Sequence, residues 1–313
     1  MHHVILVLQG GGAKGPFEIG VLSTLEKKTE RSVADLVDLI VSTSIGSVNA
    51  SLLASKIMSA EHIGCLMLKN LPTIFKKRLN IPLYDRKKYS DLYKKHVEDV
   101  LGKKIFLKDL DNNVHLVFTS TNMCDGTNHF FKSDKYDEKE MSVVDVVCRS
   151  FAAPLYFGQI NDPEKKAIWL DGGCGIENLP LWQAYIEAVK RGWLNEGHTT
   201  HILSIGCGYS KFWVDYKKGI KGGKLRQAIR AVKYYNSITR GSLAYNQSAA
   251  VQISNMEALS RFQPNFSFQH IDWPGVMSRK LDKMDNTKAR LQYYDTGVKQ
   301  GNLINRTLFY LNK

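Results

Sequence analysis

Apolar and polar positions along this chain follow two alternating rhythms. Residues 4–9 form a short, nearly unbroken apolar run, the pattern of a strand buried on both faces. Beyond the glycines that follow, Phe17, Val21, Leu22 and Leu25 recur at helical spacing and predict a helix over 16–28. Residues 36–41 read as a second strand and 45–58 as a second helix. Residues 114–121 and 128–132 predict two strands turning at Asp125-Gly126. Ser142, with Asp145 three residues on, is an N-cap signature for a helix to about Phe151. Strands over 167–170 and 201–205 flank a helix over 181–191, and 286–311 reads as a closing helix. Strand and helix alternate without an internal repeat or low-complexity linker, so a single α/β domain over 1–313 is the simplest architecture.

Composition adds limits. Of 313 residues, 43 % are apolar and 23 % charged, which is ordinary for a globular chain. No run approaches the 18 apolar residues of a membrane span, and the first residues lack the basic start of a signal peptide. A cytoplasmic protein is the expectation. The cysteines Cys65, Cys124, Cys148, Cys174 and Cys207 are scattered, with no zinc spacing, and are expected to be reduced and mostly buried. No metal site and no cofactor are expected.

The net charge of +13 is unevenly placed. Residues 69–104 carry a net +7, including Lys76-Lys77-Arg78 and Arg86-Lys87-Lys88 around Pro72 and Pro82. Residues 211–240 carry a net +8, and there Leu225, Ile229 and Val232 share one face of a basic amphipathic helix. This points to an anionic partner, read as a phospholipid surface, although a solvated helix face would look the same. Zinc ligands, RNP-type strands and helix-turn-helix spacing are missing, so nucleic acid is not expected.

Three short motifs carry chemistry. Gly10-Gly11-Gly12-Ala13-Lys14-Gly15 follows a strand and opens a helix. It matches a dinucleotide fingerprint, but the second strand ends in Ser42-Thr43-Ser44 rather than in the acid that would bind ribose. A P-loop also fails, because Pro16 stands where its lysine belongs. What remains is a loop of open backbone N–H groups, an anion site. Ser42-Thr43-Ser44-Ile45-Gly46 resembles a nucleophile elbow with Ser42 in place of the first glycine, though a plain N-cap serine would look alike. Asp171-Gly172-Gly173 closes a strand on the edge where open α/β sheets hold their sites.

In this order the three motifs resemble the patatin-like phospholipase family, over about 4–180. Ser150-Phe151-Ala152-Ala153-Pro154-Leu155-Tyr156-Phe157 and Asn178-Leu179-Pro180 look like further family segments. The resemblance implies a three-layer α/β fold, with a central mostly parallel sheet and helices on both faces. It implies a lipid acyl hydrolase of phospholipase A or lysophospholipase type, a serine esterase working on a membrane surface. Ser44 would be the nucleophile, Asp171 the base, and Gly10, Gly11 and Gly12 the oxyanion hole. Lys14 would position the loop or meet a headgroup phosphate.

Other readings stay open. His198, His201 or His270 could complete a Ser–His–Asp triad in place of the dyad. A catalytically silent lipid- or partner-binding protein on the same fold would share the motifs. Nothing is recognisable beyond about residue 210, and 211–313 is expected to be a helical C-terminal part holding a regulatory or docking role. Since a free membrane hydrolase needs restraint, activation by a ligand, a protein partner or self-assembly is expected.

Overall fold

The computed structural model describes residues 1–75, 91, 105–154, 156–175, 177–209, 223, 248–278, 280–281, 283 and 285–309. One sheet joins β1 (His2–Leu8), β2 (Leu39–Thr43), β3 (His115–Asn122), β4 (Thr127–Lys132), β5 (Ile160–Asp162), β6 (Ala167–Asp171), β7 (Thr199–Ile205) and β8 (Phe266–Ile271). The run β3-β2-β1-β7-β8 is parallel throughout, while β4, β5 and β6 join by antiparallel pairing.

The period of two divides the central strands between two cores. Leu6, Leu8, Ile40, Leu116, Phe118, Leu203 and Ile205 enter one; Ile5, Val7, Leu39, Val41, Val117 and Ile202 enter the other. The first core is closed by α1 (Pro16–Thr29), the short α2 (Val33–Leu36), α3 (Ile45–Ala54), α4 (Ala60–Ile74), α5 (Leu107–Asp111), α6 (Val143–Ser150) and α9 (Arg290–Gln300). The second is closed by α7 (Leu181–Lys190) and α8 (Ala250–Phe262). Helices on both faces of a mostly parallel sheet give the three layers expected.

β3 organises the site end. Its residues 117–122 pair with β4 along one edge. Along the other, residues 115–119 pair with β2 and 120–122 with β6, so β2 and β6 meet end to end.

Differences from the sequence reading have local causes. The closing helix is short: Arg290–Gln300 is followed by 3-10 turns at Gly301–Leu303 and Arg306–Phe309. Gln269 of β8 holds Leu303 O and Asn305 N, which draws that segment along the sheet edge instead. The second helix stops at Ala54 rather than 58, with Lys56 at φ 54°. Ser142 precedes α6 but its side chain makes no capping bond; it forms a β-bridge with Phe106. Of the cysteines, Cys148 and Cys207 are buried, but Cys65 and Cys124 are exposed. β8 and α8 are elements that the sequence pattern above does not predict. The basic runs lie outside the described residues, apart from 69–75, Asp91 and Gly223. No helix among the described residues is long and apolar enough to cross a membrane.

α1 and α9 cross with their backbones touching. A Cβ on Gly20 would collide with Tyr294 O, and one on Gly297 with Phe17 O. β8 and α9, both from the unrecognised third, thus pack directly on β7 and α1.

Candidate active site

Ser44 follows the last residue of β2 and precedes α3, at φ 55° and ψ −121°. A non-glycine residue there costs about 1–3 kcal/mol and persists only when its surroundings impose it. The turn is imposed by close packing: a Cβ on Gly46 would press on Leu8 O at 2.8 Å. Ser42, replacing the usual glycine, fits by turning its hydroxyl to Ser47 Oγ at 3.2 Å. Ser150 Oγ accepts the Ser44 N–H at 3.0 Å and shares a hydrogen bond with Ser47 Oγ at 2.8 Å.

Because β6 abuts β2, Asp171 lands beside this turn. Ser44 Oγ donates to Asp171 Oδ2 at 2.6 Å, and Gly173 N–H donates to Asp171 Oδ1 at 2.8 Å. Both side chains are buried. Burial pushes the Asp171 carboxyl up to about 6, against the lowering pull of these two hydrogen bonds. Glu177, six residues downstream and also buried, is pushed up to about 7 by burial, and its Oε2 has no hydrogen-bond partner among the described residues.

The glycine loop closes the third side. Gly10 N–H donates to Asn178 O at 3.0 Å, and Asn178 Nδ2 donates back to Gly10 O at 3.3 Å. The Gly10 N–H is therefore engaged, whereas those of Gly11 and Gly12 have no partner among the described residues. Gly12, at φ 58°, adopts a conformation that side chains resist. Gly11 lies against Cys207, whose N–H donates to Gln9 Oε1 at 2.8 Å. Lys14 is buried and its Nζ donates to Gly208 O at 3.0 Å, which ties the loop to the exit of β7. Asn178 lay in a segment whose family likeness was legible, but the Gln9–Cys207 clasp had no sequence signal.

The three histidines lie elsewhere. His198 bonds His3 at 2.8 Å, beside the start of β7 and away from the strand ends that carry the site. His201 pairs with Val4, four residues before the end of β1, and burial lowers it to about 3. His270 sits on β8, three strands from β2, and bonds Ser204 Oγ at 3.0 Å. Among the described residues no histidine bonds Ser44 or Asp171, and no cluster of three or more His, Cys, Asp or Glu side chains is arranged to hold a metal.

In this three-layer α/β fold a serine thus donates to an aspartate at the ends of neighbouring strands, and the comparisons lead to one family. A family model described as patatin-like phospholipase matches residues 6–185, and the chain belongs to that family. It is 27 % identical over 226 residues to a cGAMP-activated phospholipase of Escherichia coli (strain TW11681), covering 64 % of this chain and 61 % of the relative. A cGAMP-activated phospholipase of Pseudomonas aeruginosa (strain BWHPSA011 / Pa011) is 31 % identical over 185 residues, 56 % of this chain and 54 % of the relative. The chain thus spans little more than half the length of these curated relatives. Among solved structures, VipD from Legionella pneumophila shares the fold with a TM-score of 0.50 at 13 % identity, covering 99 % of this chain and 67 % of that one.

Proposed function

We propose that the chain is a lipid acyl hydrolase of phospholipase A or lysophospholipase type, with Ser44 as nucleophile and Asp171 as proton acceptor. The observation that carries this reading is the 2.6 Å hydrogen bond from Ser44 Oγ to Asp171 Oδ2 at a strained strand-to-helix turn. Ser44 Oγ attacks the ester carbonyl as its proton passes to Asp171 Oδ2. The N–H groups of Gly11 and Gly12, with the N-terminus of α3, face the developing oxyanion. Gly10 serves by gripping Asn178 instead. The tetrahedral intermediate collapses when the leaving alkoxide takes the proton back from Asp171. Water, deprotonated by the same carboxylate, then attacks the acyl carbon, and the fatty acid leaves as Ser44 Oγ takes the proton back from Asp171. A buried carboxyl near pH 6 suits both directions, because it is ionised at neutral pH yet more basic than an exposed aspartate.

The relatives named as cGAMP-activated phospholipases support gating of this chain by a cyclic dinucleotide. The +13 charge supports a cytoplasmic chain docking peripherally on an anionic phospholipid surface. Packing of β8 and α9 on the core supports reading 1–313 as one unit.

A serine-reactive fluorophosphonate should label the wild type and spare Ser44→Ala. Lipid mass spectrometry with and without cGAMP should show fatty-acid release only in the labelled protein. Equal labelling of both proteins would end this reading.

A further inference from the structure

We infer that the groove between β4 and α7 is a binding site for a phosphate-bearing nucleotide. It rests on the ligand-gated reading above for the kind of ligand, and on its own geometry for the place.

The groove is open to solvent and holds about 370 Å³, within the roughly 300–1,000 Å³ usual for small-molecule sites. Its lining combines an aromatic ring, two amides and several cations: Phe130, Asn128, Gln183, Lys132, Lys135 and Lys190. Each type answers one part of a nucleotide. Phe130 is half-buried, packs against the second core and stacks on no other ring among the described residues; the part of its ring that lines the groove is where a base would stack. Gln183 Nε2 already donates to Glu187 Oε1 at 2.8 Å and Asn128 Oδ1 accepts from Thr121 Oγ1, so the groups left for a base edge are Gln183 Oε1 and Asn128 Nδ2.

The cations are pre-placed. Lys132 Nζ is held by Glu187 at 2.7 Å and Lys135 Nζ by Glu138 at 2.9 Å. Both carboxylates are buried beneath them, and an ammonium with one such bond keeps two further donors for phosphate oxygens. Lys190 is exposed and has no acidic partner among the described residues. Burial raises the Glu138 carboxyl, but hydrogen bonds from His129, Lys135 and the Lys132 N–H outweigh it and bring it down to about 2, so this scaffold keeps its charge at neutral pH.

The groove also connects to the site. Asn128 Oδ1 accepts from Thr121 Oγ1 at 3.3 Å, and that hydroxyl also lies 3.2 Å from Asp171 O. A ligand that reoriented Asn128 would act on the backbone carrying the carboxylate through one side chain.

The test is equilibrium binding of cGAMP, inorganic phosphate and phosphatidylglycerol vesicles to the full chain, its Lys190→Glu variant and its Phe130→Ala variant. Melting temperatures serve as the check on folding. cGAMP should bind the wild type and be displaced by millimolar phosphate. Both variants should weaken cGAMP at least tenfold and raise its half-activating concentration equally, with hydrolysis in its absence unchanged. Equal cGAMP affinity in all three proteins would overturn the groove and leave ligand gating standing. No cGAMP binding to the wild type would overturn both. A Lys190-dependent loss of vesicle binding, with cGAMP unaffected, would overturn the nucleotide site in favour of a lipid-docking face. Labelling of Ser44 is read separately, so failure of the hydrolase reading leaves these outcomes legible.

Discussion

Thr43 and Asp171 take consecutive stations along one edge of β3, opposite Thr119 and Ser120. β2 runs parallel to β3 and β6 antiparallel, so their ends face each other across a gap filled by Ser44. The Ser44–Asp171 hydrogen bond is thus built by strand pairing rather than by a mobile loop. A site carried on paired strands is held more closely than one on loops.

Removing either partner should cost at least about 10³-fold in turnover, in line with other nucleophile–base pairs. Asp171→Asn should lose hydrolysis while keeping its melting temperature, because burial already disfavours the carboxylate. Alanine at His198, His201 or His270 should leave ester hydrolysis within tenfold of wild type. A thousandfold loss at any of them would restore the triad.

Turnover should require ionised Asp171, which burial pushes up to about 6. The rate is then expected to fall about tenfold per pH unit below that value and to level off above it. A pH profile of kcat/KM on a neutral ester checks this, and a flat profile down to pH 4.5 would count against Asp171 as base.

Ser44 at φ 55° stores strain that glycine would release. Ser44→Gly should be inactive yet more stable by about 1 kcal/mol, or about 1–2 °C in Tm for a chain of this size. Calorimetry on the two proteins decides it.

Gly12→Ala should misdirect one of the two glycine-loop N–H groups that have no partner among the described residues, since φ 58° resists a side chain. Loss of an oxyanion donor costs about 10²–10³ in kcat. KM should change far less, which steady-state kinetics will separate.

His201 should make the fold acid-sensitive. Its folded pKa is lowered to about 3 by burial, against an ordinary 6.5. Between those values the unfolded chain binds the extra proton, so stability is complete above about 6.5 and falls as pH drops towards 3. Asp171 works in the opposite sense, because its folded pKa is raised and acid favours the folded form. Urea melts at pH 7 and pH 5 should therefore show a smaller loss in His201→Gln than in wild type.

Much of the central layer could be read from the chain. Val4 to Leu8 carries no polar residue, and only a strand covered on both faces allows that. The turns that hold Ser44 and Asp171 are legible because small residues mark them. The far end of the sheet was less so. Phe266 and Phe268 alternate with Ser267 and Gln269, a strand signal of only six residues in a stretch without a motif. Gly10 marks the limit of motif reading. Its N–H is spent on Asn178, a contact 168 residues away that spacing alone could not reveal.

The touching backbones of α1 and α9 bear on where this chain could be shortened. A chain stopped after residue 209 would keep all three motifs, yet β7 would lose β8 and expose a full row of unpaired amides. Gly20 would face water instead of Tyr294. Such a fragment would be prone to pair with its own copies, so the portion identifiable by its motifs is smaller than the portion able to stay in solution.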